Sequence, residues 1–284
     1  MPATISTTTD SEPGLRNLVR RHPAVAYFLC TYVISWGAAG LVAAPHLLRR
    51  QPLPVLTGIL MFPAMLLGPS LTGIGLTAWL EGRAGVRALF RRMFHYRLAG
   101  RWYAVLLLPP ALILLVLFVL RWLVSPVFAP NLFIWGMLFG IPAGLLEEIG
   151  WIGFAYPHMS SRYPRAAALG LGLLWSAWHI PVVNFLGTAV PHRNFWLAYF
   201  LAFAAAMTAM RVLICWLYRH TQSLGLAQLL HISSTGSLVV FSAPRVTPGQ
   251  EAFWYAIYAL ALWLVLTAAI FRNPPGRRLK PEFN

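Results

Sequence analysis

Acidic residues are few in this sequence: seven Asp and Glu stand against 22 Lys and Arg over 284 residues. Cysteine is scarcer, and both copies, Cys30 and Cys215, fall inside apolar runs. Such a pair makes neither a disulfide framework nor a zinc knuckle, and it reads as small packing residues. Charged residues of either sign are only 10% of the chain and hydrophobic ones 58%, with a mean hydropathy of +0.66. That balance excludes an ordinary soluble globular domain. Also missing are an internal repeat of fixed period and a polar linker long enough to separate folded units from each other.

What the chain does have is a series of long apolar runs. About 20 apolar residues cross a hydrocarbon core of about 30 Å as a helix. Eight candidates lie near residues 24–44, 55–80, 102–124, 132–156, 166–187, 195–218, 224–241 and 252–271. The expected fold class is all-α, a polytopic membrane helical bundle of about eight transmembrane helices. Residues 21–272 are expected to form one membrane domain with its core at about 131–240, flanked by a disordered leader at 1–20 and a tail at 273–284. The first apolar run is longer than the roughly 7–15 residues of a cleavable signal core, so it reads as a retained anchor.

The basic residues set a topology. With the N-terminus inside, sixteen fall on inner segments: Arg16, Arg20, Arg21, six arginines from Arg83 to Arg101, Arg162, Arg165, Arg219, Arg272, Arg277, Arg278 and Lys280. Four fall outside (Arg49, Arg50, Arg193, Arg245), and Arg121 and Arg211 lie within apolar runs. This bias predicts a multi-pass cell-membrane protein with both termini cytoplasmic. The net charge of +15 is then an orientation signal and a contact with anionic headgroups of the bilayer, and it does not call for nucleic acid. In the inner loop EGRAGVRALFRRMFHYRLAGRW, Val86, Leu89, Phe90, Met93 and Phe94 recur at helical spacing between arginines. The pattern suits an interfacial amphipathic helix, and equally an ordinary basic loop.

Of the seven acidic residues, five lie in the leader, the tail or at helix edges, and the pair Glu147 and Glu148 alone is deep, within LLEEIGWIGFAY. A charge near mid-membrane costs about 2.5–3.5 kcal/mol on insertion scales, so it needs a functional or pairing reason. His179, in LLWSAWHIPVVNF, and His231, in LAQLLHISSTGSL, are the two histidines set deep in apolar runs. At 1.5 Å per residue, Glu147 lies about 13 Å, His231 about 11 Å and His179 about 20 Å from the inner helix ends. Side chains of three separate helices could therefore meet inside the bundle.

Such a set supports two chemistries. A carboxylate withdrawn from water and an imidazole can activate one water for attack on a carbonyl, while a second imidazole and nearby hydroxyls stabilise the oxyanion. Alternatively Glu147, His179 and His231 could hold zinc and activate its water. Trp151, Trp175 and Trp178 flank these residues and read as packing or interfacial anchors before groove walls. Asn184, Ser233 and Ser234 read mainly as interhelical hydrogen-bond formers.

EEIGWIGFAYP, WSAWHIP and MRVLICWLYRHTQSLGLAQLLHISSTGS, preceded by FPAMLLGPSLTGIGLTAWLEGRAG and RWYAVLLL, resemble the motifs of the CPBP intramembrane proteases. That group includes type II CAAX prenyl endopeptidases and bacteriocin self-immunity proteins. The resemblance implies that Glu147 and His179 activate a hydrolytic water, that His231 helps form an oxyanion hole, and that Glu148 supports them. A membrane-associated peptide or protein is the implied substrate, cleaved near the cytoplasmic side. Two positions depart from the pattern: Ile152 stands where the family has an arginine, and Thr235 where it has an asparagine. Without that arginine Glu148 lacks its partner one turn along. Arg211 is a candidate replacement, with snorkelling to the inner headgroups as its other reading. Ser234 and Thr235 could support the oxyanion. Endopeptidase is the leading expectation; a degenerate scaffold or immunity protein and a proton-coupled transporter are the alternatives.

Overall fold

The computed structural model describes residues 14–160, 162–186, 192–243 and 245–272. No β-strand occurs among them, and twelve α-helices succeed one another. They are α1 (Leu15–Arg21), α2 (Pro23–Leu48), α3 (Val55–Met93), α4 (Gly100–Ala104), α5 (Leu108–Leu123), α6 (Met137–Gly150), α7 (Tyr156–Met159), α8 (Pro164–Trp178), α9 (Ile180–Leu186), α10 (Trp196–Thr221), α11 (Leu224–Phe241) and α12 (Pro248–Arg272). Among the described residues, seven runs are long and apolar enough to cross a membrane: Pro23–Leu48, Leu56–Met93, Gly100–Leu123, Ile134–Met159, Arg193–Thr221, Leu224–Phe241 and Pro248–Ala268. The chain is an all-α, multi-pass membrane bundle.

Three local expectations change. The fifth apolar run is not one continuous helix: α8 has 15 residues, the chain turns at His179, and α9 has 7. Pro181 has no N–H for the Ala177 carbonyl, so the ladder breaks where the histidine sits. The leader expected to be disordered through residue 20 is helical from Leu15, because Leu15, Leu18 and Val19 form an apolar stripe that buries Val19. Arg211 does not snorkel, since it is completely buried. The leader residues 1–13 and the tail 273–284 lie outside the described residues.

The bundle packs α2 on α3, α3 on α6, α6 on α11, and α10 on both α8 and α12. The α6–α11 contact positions the deep glutamates, and its closeness comes from Gly136, Gly140 and Gly144, one turn apart at the start of α6 and along it. A Cβ at Gly140 would come within 2.6 Å of the Gly236 nitrogen, and one at Gly144 within 2.6 Å of the Gln228 carbonyl oxygen. Only hydrogen at these positions lets the two backbones approach so closely, as at small-residue seams between membrane helices. Because a backbone cannot rotate aside, Gly140→Ala should cost about 1–3 kcal/mol. Gly75→Ala should be near neutral, since nothing lies within 4 Å of a Cβ there. Thermal unfolding of the two variants in detergent checks this contrast.

α3 is not straight. Gly82 has φ of 67° and ψ of −161°, which turns residues 83–93 out of the line of the membrane-crossing segment. A side chain is strained at that positive φ, so glycine makes the corner.

Candidate active site

Four helices bring the deep polar residues together: Glu147 and Glu148 from the end of α6, Trp175 near the end of α8 with His179 just past it, Arg211 from α10, and His231 from α11. Glu147, Glu148, Arg211, His231 and Trp175 are at most 1% exposed, while His179 is partly accessible. After Ile149 and Gly150, residues Trp151–Ala155 form a π-helical turn. Such a turn widens the helix by one residue and recurs at functional sites.

Glu148 is the centre of an ion-pair chain. Arg211 Nη1 donates to both of its oxygens, at 2.8 and 2.6 Å, and its Oε1 also receives His231 Nδ1–H at 2.5 Å. A carboxylate accepts and cannot donate when ionised, so it fixes the His231 ring with hydrogen on Nδ1. Nε2 is then the nitrogen left for chemistry. The cation at Glu148 comes from another helix, 63 residues along the chain, while Ile152, one turn after Glu148, is buried with apolar neighbours.

Glu147 is held differently. Its Oε2 accepts indole N–H groups from Trp175 at 2.7 Å and Trp151 at 3.2 Å. Both donors are neutral, so they orient this carboxylate without placing a full cation against it. His179 donates from Nδ1 to the Trp175 carbonyl at 2.7 Å, and since a carbonyl only accepts, the lone pair of the neutral ring is on Nε2.

Trp175 touches four of these groups. Besides its hydrogen bond to Glu147, its ring lies edge-on to His179 and His231, with centroids 5.0 and 5.2 Å away, and the Arg211 guanidinium sits 4.0 Å over its face. A buried cation over an indole is stabilised by the ring quadrupole. Packing or interfacial anchoring is the expectation for Trp151 and Trp175, yet their spacing carries a signal. Trp151 follows Glu147 by four residues and Trp175 precedes His179 by four, which places each on the face of the polar residue it serves. Trp175→Phe keeps the ring and deletes the donor. Loss of a hydrogen bond to a charged group predicts a destabilisation of about 1.5–3 kcal/mol, to be checked by thermal unfolding in detergent.

Other candidates are less central. Thr235 is partly exposed one turn beyond His231, on the same side of α11. Ser234 is buried, Ser233 donates to the Leu106 carbonyl at 2.6 Å and so ties α11 to the segment before α5, and Asn184 is exposed. Trp178 packs on His179 with ring centroids 4.8 Å apart.

Among the described residues no three His, Cys, Asp or Glu side chains are grouped so as to hold a metal ion. Glu147 Oε2 is taken by two indoles, and Glu148 faces Arg211 and His231 Nδ1.

Residues 129–237 match the family model described as type II CAAX prenyl endopeptidase Rce1-like. The stretch contains Glu147, Glu148, Trp175, His179, Arg211 and His231. Among curated proteins, the chain is 31% identical over 94 residues to a protein named CAAX prenyl protease 2 from Methanococcus maripaludis. That alignment covers 31% of this chain and 34% of the relative, so the chain spans about a third of the length of the curated protein it matches.

Proposed function

Given that residues 129–237 match the type II CAAX prenyl endopeptidase family, we propose that this protein is an intramembrane endopeptidase that hydrolyses a peptide bond of a membrane-associated protein or peptide, with both termini cytoplasmic. The observation that carries this reading is the separation of the two glutamates into two electrostatic settings. Glu148 is neutralised by Arg211 and locked to His231, whereas Glu147 has only neutral donors on one oxygen. A carboxylate so placed is available as a base.

In this reading Glu147 accepts a proton from water as the water oxygen bonds to the scissile carbonyl carbon, and His179 Nε2 accepts a hydrogen bond from the same water. The carbonyl oxygen takes the electron pair and is met by His231. Donation from Nε2 while Nδ1–H is on Glu148 requires the doubly protonated ring, and the two carboxylates Glu147 and Glu148 together balance it and Arg211. Collapse of the tetrahedral intermediate breaks the C–N bond, and Glu147 returns its proton to the leaving amine. Water is consumed, one acid and one amine form, and Glu147 ends ionised. Thr235 and Ser234 line the His231 helix as further donors.

No step runs through a metal. Cleavage is expected to survive treatment with a strong chelator; loss of activity restored by zinc would replace the glutamate-water reading with a metal one. The deciding experiment compares purified wild type with Glu147→Ala, His179→Ala and His231→Ala on a library of membrane-tethered and free peptides. Folded wild type that cleaves none of them would move the assignment to a scaffold or immunity protein.

A further inference from the structure

The helix of residues 83–93, turned aside at Gly82, has two unlike faces. Gly85 and Leu89 are buried against the bundle, and Val86, Arg92 and Met93 are partly buried beside them. Arg83, Arg87 and Arg91 point away and are exposed, together with Phe90 at 36% and Phe94 at 74%. The inner face reaches the π-turn next to the glutamates. Arg92 Nη2 donates to the Gly153 carbonyl at 2.9 Å, and Nη1 donates to the Tyr218 hydroxyl of α10 at 2.7 Å.

The acceptor at Gly153 has a cause in the sequence. Residue 157 is proline, so it offers no N–H for the helical bond back to the Gly153 carbonyl. Gly153 also has no side chain to hold Leu89 off: a Cβ there would lie 2.6 Å from Leu89 Cδ1. The next residues are pinned as well, since Ser223 at the α10–α11 junction donates to the His95 carbonyl at 2.6 Å. One rigid strap thus spans the end of the Glu147 helix and the end of the Arg211 helix.

We propose that Arg92 is a positioning residue for Glu147, and that the outer face of its helix is a docking surface for anionic phospholipid headgroups. Three arginines spaced four apart alongside two exposed phenylalanines are complementary to a negatively charged interface into which the rings insert. Seating on that surface holds the helix against the π-turn, and Arg92 passes the restraint to the helix that carries the base. The docking and clamp stand on the geometry alone; the catalytic consequence rests on the endopeptidase reading.

The test uses the full chain in nanodiscs of phosphatidylcholine, with or without phosphatidylglycerol, and reads amide hydrogen exchange of residues 147–158 beside cleavage kinetics. Exchange in wild type should slow several-fold when the anionic lipid is present. Arg92→Ala should exchange about tenfold faster in both lipids and lower kcat with little change in KM, consistent with loss of charge-assisted hydrogen bonds. Arg92→Lys, with one donor group in place of a fork, should recover some of the protection. The triple variant Arg83→Gln, Arg87→Gln, Arg91→Gln should keep the exchange seen in phosphatidylcholine and lose the response to phosphatidylglycerol. Tyr218→Phe, which deletes one acceptor and leaves the fold its aromatic ring, should fall between wild type and Arg92→Ala. Wild-type exchange in Arg92→Ala would overturn the clamp, and an undiminished lipid response in the triple variant would overturn the docking surface. If wild type cleaves no peptide, the endopeptidase reading fails while the exchange data still decide the clamp.

Discussion

Glu147→Gln is expected to fold like the wild type and to lose peptide cleavage by about 10²–10⁴-fold, the usual contribution of a positioned acid–base group. The amide is nearly isosteric with the carboxylate, and its oxygen still accepts from the Trp175 and Trp151 indoles that hold Glu147 Oε2 at 2.7 and 3.2 Å. It cannot take a proton from water. Because Glu147 is 1% exposed, the substitution also removes a charge from a buried place, so stability should hold or rise. Cleavage rates at saturating peptide and thermal unfolding in detergent make the check. A variant that unfolds would mean that Glu147 is structural, and one that cleaves at the wild-type rate would remove it from the chemistry.

Glu148 and Arg211 should behave in the opposite way. Each is completely buried, and they meet at 2.6 Å. Glu148→Gln leaves the guanidinium without its counter-charge, and Arg211→Met leaves the carboxylate with His231 alone; either should destabilise by about 3–5 kcal/mol. The double variant Glu148→Gln, Arg211→Met removes both charges at once, so its loss should be well below the sum of the singles. Activity should not return with stability, because the His231 ring would have lost the carboxylate that orients it at 2.5 Å. A double-mutant cycle on unfolding free energy, with cleavage measured alongside, separates the two outcomes. Additive losses would show that the two groups do not depend on one another.

The deep residues were legible from scarcity. In a chain with seven acidic residues, a carboxylate pair inside an apolar run stands out, and two deep histidines in other runs complete the set. The structure brings these four side chains to one place around Trp175. Their neighbours were harder to read. Arg211 showed in the sequence as an unexplained intramembrane cation, but its contact with Glu148 spans 63 residues, and no local spacing rule relates them. Ile152, one turn after Glu148, is apolar, and the cation that meets Glu148 comes from α10 across the bundle.

The tryptophans and glycines show a second limit. An indole in a membrane helix packs in most cases, so composition gave no reason to read Trp175 as a hydrogen-bond donor. The Gly136, Gly140 and Gly144 seam was written in the sequence at intervals of four, yet its partner, α11, is known only once the helices are packed. Likewise the helical spacing in residues 83–93 was visible, while the direction of each face was not. Val86, Leu89 and Met93 turned inward, and Phe90 and Phe94 turned out.

By itself the sequence determined that the chain is an all-α membrane bundle and that Glu147, Glu148, His179 and His231 are its costly deep residues, because transfer of charge and of apolar length into lipid is local in the chain and large in energy. Tertiary structure alone decided which cation balances Glu148, which indoles hold Glu147, and how the arginine strap reaches the π-turn. Those choices depend on distances between helices, and a distance between helices is set by packing.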